Sequence, residues 1–176
     1  MSSAHLPTNR TALATALTGP VLTGVARVVL GALWINEGLI KYRAGFGAAD
    51  IQLVVDSASA NSRVPAFFQA FAGSVLGGAP ELFGVVMPLL EVGLGVALVL
   101  GVLTLPATLM SALTLMTYWL ADQLTASYPI MTALAVVVAT WALTASRFSV
   151  TAVVENAVRE RRPTSFWLRE PVRRWL

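Results

Sequence analysis

The chain has 176 residues, of which 56% are hydrophobic and only 12% charged, with a mean hydropathy of +0.72. Such a composition lies outside the soluble range and predicts one compact integral membrane domain. The lack of cysteine excludes a disulfide framework, a thiolate metal site and a thiol relay on this chain, and the single histidine, His5, argues against a multi-histidine haem or zinc site.

The net charge of +3 is unevenly spread: seven Arg against three Glu from Arg147 onward, but five basic and six acidic groups over residues 1–146. A basic segment directly after the last apolar stretch marks the cytoplasmic side. Its Arg residues are interleaved with Phe166, Trp167 and Trp175, which favours a surface of anionic lipid over nucleic acid as the partner of residues 149–176.

In chain order, residues 1–19 read as a short polar cytoplasmic tail. It does not read as a cleaved signal peptide, because the apolar run that follows is full length and contains Arg27. Four spans follow, at about Pro20–Tyr42, Leu82–Leu103, Pro106–Asp122 and Tyr128–Phe148. The predicted fold is therefore an all-α integral membrane bundle of four transmembrane helices over residues 20–148. Both termini would face the cytoplasm of a bacterial inner membrane. The turn at Gly101–Pro106 is tight, whereas the connection over 43–81 is long and external. Within it, Phe67, Phe71 and Val75 recur every fourth residue and predict an amphipathic helix over 64–76 on the outer surface.

A hydrocarbon core about 30 Å thick takes about 20 helical residues to cross, so ionisable side chains within the spans need partners or water. At about 100° per residue, Arg27, Gly31, Trp34, Glu37, Gly38 and Lys41 share one sector of the first span. Gly84, Pro88, Glu91 and Gly95 share one on the second, and Ser111, Leu115, Tyr118 and Asp122 one on the third. Those sectors should face the bundle interior, with Arg27 paired to Glu91 and Glu37 paired to Lys41 at helical i, i+4 spacing. Glu37, Glu91 and Asp122 are candidate proton-exchanging groups. Arg27, Trp34, Lys41, Tyr118 and Trp119 are candidates to hold a quinone head group, and no metal ligand set is evident.

At these residues the chain resembles the DoxX/DoxD family, which includes the membrane subunit of thiosulfate:quinone oxidoreductases. The resemblance rests on Arg27-x3-Gly31-x5-Glu37-Gly38-x2-Lys41 and, after a variable outer loop, Pro88-x2-Glu91-x-Gly93, and covers roughly residues 20–148. It implies a four-helix membrane bundle linked to quinone or respiratory-chain redox chemistry with a partner subunit. Two functions follow as expectations: the quinone-interacting subunit of an oxidoreductase, or a non-catalytic anchor that docks a redox or detoxifying enzyme. A small transporter is a third, weaker fit, since repeats and broken helices are not visible.

Overall fold

The structure, a computed structural model, describes residues 9–162, 165–166, 169 and 172–175; His5 and Trp167 lie outside the described residues. It is all helical, with no strand among the described residues. Helix α1, Asn9–Ala44, begins well before the expected span, because Pro20 removes one backbone donor without ending a run rich in Ala, Leu and Thr. Thr23 lies one turn beyond Pro20, and its hydroxyl donates to the Gly19 carbonyl at 2.9 Å. The helix stops at Gly45, whose φ of +69° is the left-handed conformation a helix C-terminus favours.

The outer connection holds two helices where one was expected. Helix α2, Ala48–Ala60, starts where the Asp50 carboxylate accepts from the Gly47 N–H at 2.8 Å, and it buries Ile51 and Ala58. Helix α3, Ala66–Phe71, runs into a π turn over Ala72–Leu76. The residues the spacing singled out, Phe67, Phe71 and Val75, are exposed. The residues one position along, Phe68 and Ala72, pack with Val64, Ala58 and Ala121 into a small core.

Helices α4 (Pro80–Leu100) and α1 form the principal crossing. It is close because a Cβ at Gly31 would lie 2.8 Å from the Gly95 carbonyl oxygen, and one at Gly95 would lie 2.6 Å from the Gly31 oxygen. Helix α5, Thr104–Leu120, ends two residues before Asp122, which takes a φ of +56° and so leaves the helical sector assigned to it from the sequence. The last expected span is interrupted. Helix α6 covers Ser127–Thr140, Trp141 departs to φ −117°, ψ 38°, and a single turn, α7, covers Ala142–Ala145. Helix α8, Val150–Arg161, is capped by the Ser149 hydroxyl, which accepts from the Ala152 N–H at 3.1 Å.

Polar groups are buried within the apolar core, and large apolar side chains lie on the outer surface. Arg27, Glu91, Thr104, Thr108 and Ser111 are buried, whereas Leu22, Val25, Val85, Leu89, Leu113, Met116, Ile130 and Val136 are exposed. Two helical stretches, Leu17–Ala44 and Pro80–Leu100, are long and apolar enough to cross a membrane; α5 and α6 are shorter.

Candidate functional site

The two strongest buried charges sit at opposite ends of the α1–α4 crossing and do not meet. Gly31 against Gly95 sets the register of the antiparallel pair, so Arg27, one turn earlier on α1, lies beside the residues one turn later on α4. The expected Arg27–Glu91 pair is thereby excluded. Instead the Arg27 guanidinium donates to backbone carbonyls only: Ala145 at 3.1 Å, Phe148 at 3.0 Å, Val99 at 3.1 Å, and Leu98. Those oxygens belong to the last turn of α4, to the end of α7 and to the turn that follows it, where a cation also complements the helix dipole. Gly101 makes room for it: φ is +69°, and a Cβ there would approach Arg27 Nη1 to 2.6 Å. Arg27 is a structural clasp here, not a head-group ligand.

At the other end, Glu91 is fully buried at 0% exposure. Its Oε1 accepts from Lys41 Nζ at 2.7 Å and from the Tyr118 hydroxyl at 2.5 Å, while Oε2 has no hydrogen-bond partner among the described residues. Both donors crowd onto one oxygen of the buried carboxylate. Lys41 therefore pairs with Glu91 and not with Glu37 one turn back. Glu37 instead accepts from the Ser127 hydroxyl at 3.0 Å, tying α1 to the start of α6. The Lys41 ammonium also faces the rings of Tyr118, at 5.4 Å, and Phe46, at 5.9 Å.

Lys41 and Tyr118 open onto a cavity of about 230 Å³. Its walls are mostly hydrocarbon: Ile51 and Val54 of α2, Phe68, Phe71 and Leu76 of the α3 segment, Met87 and Leu90 of α4, Met110 and Leu113 of α5. Tyr128 stacks on Tyr118, with centroids 5.4 Å apart and planes at 25°, and completes the polar side with Thr114, Thr117 and Gln123. The cavity thus presents an ammonium and phenols at one side of an otherwise apolar chamber, which suits a ring with polar oxygens carried on a hydrocarbon tail.

The remaining sequence candidates divide. Trp34, at 0% exposure, is adjacent but spent inside the core, donating its indole N–H to Ser111 Oγ at 2.6 Å and tilting against Tyr118 with centroids 6.5 Å apart. Trp119, at 67% exposure, points away from the cavity. Asp122 pairs with Arg63 at 3.2 Å and accepts from Asn61 at 2.9 Å, so it anchors the outer helices and not the site. Tyr128, Phe46 and Phe68 went unselected by the sequence reading. Tyr128 alone had a legible signal, a hydroxyl-bearing aromatic at the start of a span. Among the described residues no group of three His, Cys, Asp or Glu side chains is arranged to hold a metal.

Comparison of the chain with protein-family models, with curated proteins and with solved structures finds no match to any of the three.

Proposed function

We propose that this chain is a DoxX/DoxD-like integral membrane subunit of a quinone-linked oxidoreductase, and that the cavity beside Lys41 and Tyr118 receives the quinone ring. The observation that carries the reading is the Lys41–Glu91–Tyr118 knot at the edge of an apolar chamber. Lys41 and the Tyr128 phenol offer hydrogen bonds to ring oxygens, and the buried carboxylate behind Lys41 and Tyr118 can exchange a proton. The sulfur substrate, thiosulfate in the resemblance, would be oxidised on a partner subunit, since the cavity's one cation is already neutralised by Glu91.

In this reading four segments cross the bacterial inner membrane: α1, α4, α5 and the α6–α7 pair. The exposed apolar side chains of α5 and α6, Leu109, Leu113, Met116, Ile130 and Val136 among them, support this. At about 1.5 Å per residue α5 is about 25 Å long, close to the hydrocarbon thickness. Met110 and Leu113 belong both to the cavity wall and to the exposed surface, which gives a lipid-soluble ligand a lateral way in between α4 and α5. Both termini face the cytoplasm, with the Arg-rich segment on the anionic leaflet.

The test is purification in mild detergent with analysis of extracted quinone, followed by titration with a short-tailed ubiquinone while tryptophan emission is read. Co-purified quinone and saturable quenching are expected. Neither signal, together with a stoichiometric enzyme partner, would replace this reading with that of a non-catalytic anchor. Single cysteines at Ser59 and Ser165 check the topology: an impermeant thiol reagent applied to intact cells should label the first and spare the second.

A further inference from the structure

Two buried side-chain atoms lack a hydrogen-bond partner among the described residues, and they lie near opposite ends of one polar stripe. They are Glu91 Oε2 and Thr104 Oγ1. Between them α5 turns a hydroxyl inward at nearly every turn: Thr104, Thr108, Ser111, Thr114 and Tyr118, all buried. In a helix that otherwise shows Leu and Met outward, this file is not a by-product of amphipathicity in water, because its polar face is the inside one.

Hydrogen-bond accounting distinguishes the stripe from ordinary helix hydroxyls. Thr108 and Thr114 donate to the carbonyls one turn back, at 2.6 and 2.9 Å, and keep their lone pairs free to accept. Ser111 Oγ accepts from Trp34 Nε1, and its own proton goes to no acceptor among the described residues. Side chains three or four residues apart on a helix face are separated by about 5–6 Å, a gap that one bridging water closes.

We propose that the α5 hydroxyl stripe is a proton inlet, running from Thr104 at the Gly101 turn to the Oε2 face of Glu91. Glu91 then has two sides. A proton arrives at Oε2 from the stripe, the carboxyl group turns, and the same proton leaves on the cavity side, where Lys41 stands; the carboxylate is restored at each passage. Delivery to a quinone rests on the function proposed above, whereas hydration of the stripe does not.

The chain's lack of cysteine makes a direct measurement possible, because any introduced thiol is the only one. In the full-length protein reconstituted in lipid, Ser111→Cys and Thr108→Cys each place an S–H reporter in the stripe. Ala135→Cys places one in the hydrocarbon core against Leu30, Trp34 and Met131. Transfer to heavy water, followed by the infrared S–H stretch, should show exchange at 108 and 111 at least tenfold faster than at 135. Adding Thr104→Val should slow exchange at 111 at least tenfold and leave 135 unchanged. Exchange at 108 and 111 as slow as at 135 would overturn the inlet. Fast exchange indifferent to Thr104→Val would overturn its direction, the protons then entering from the cavity. The ubiquinone titration on the same samples reports separately, so a wet stripe in a protein that binds no quinone would refute only the functional reading.

Discussion

Arg27 and Glu91 are the two deepest charges in the bundle, and they are satisfied in opposite ways. Arg27 is surrounded by four carbonyl acceptors contributed by α4 and the α7 segment, so its donors are matched and the group is locked. Glu91 has two donors on one oxygen and none on the other, beside a chamber with an adjustable lysine. A fully matched buried charge holds elements together; a half-matched one behind the polar wall of a cavity keeps an acceptor free.

That contrast is open to attack by substitution. Arg27→Ala should be the most damaging, at about 4 kcal/mol, since it strands buried carbonyls and opens a void; Arg27→Lys should recover only part, lacking the planar fork. Unfolding of the detergent-solubilised protein measures both. Unchanged stability in Arg27→Ala, with ubiquinone binding lost, would invert the assignment. Lys41→Ala comes next, at about 3 kcal/mol, because it leaves Glu91 buried without its cation. Pairing it with Glu91→Gln should be less costly than Lys41→Ala alone, whereas strict additivity would dissolve the pair.

Smaller effects sharpen the comparison. Tyr118→Phe should cost about 1.5–2 kcal/mol, the lower part of the range for a hydrogen bond to a charged group, and should weaken ubiquinone binding more than any comparable change near Arg27. Asp122→Ala removes a partly exposed pair with Arg63 and should cost less than about 1 kcal/mol with no change in binding, read from the same denaturation and quenching curves. A large binding loss there would restore Asp122 to the site.

The inward faces of α1, α4 and α5 were legible because helical periodicity and the avoidance of apolar surroundings by charge point to the same sectors. Gly31, Trp34, Gly38, Pro88 and Glu91 are all buried as those sectors require. The partners were not legible. Estimating depth from the ends of apolar runs paired Arg27 with Glu91, while the Gly31–Gly95 contact, a register marker present in the sequence, sets Lys41 there instead. In the outer connection a period of four marks a helix face but not which side of it is covered: Phe67 is exposed and Phe68, one residue along, is buried. Asp122 was lost to a left-handed turn that periodicity cannot register. Tyr128 entered the site by stacking, a contact between helices that no single-helix pattern contains.

The Arg27 clasp also draws its acceptors from two widely separated parts of the chain. Its bonds to Leu98 and Val99 span 71 and 72 residues, but those to Ala145 and Phe148 span 118 and 121. During synthesis α1 and α4 can join at their glycines while half of the guanidinium still lacks protein acceptors. The end of α7 and the turn after it supply the missing two carbonyls, those of Ala145 and Phe148. Arg27 therefore acts as a completion latch, and a chain truncated before residue 142 leaves that latch unfastened.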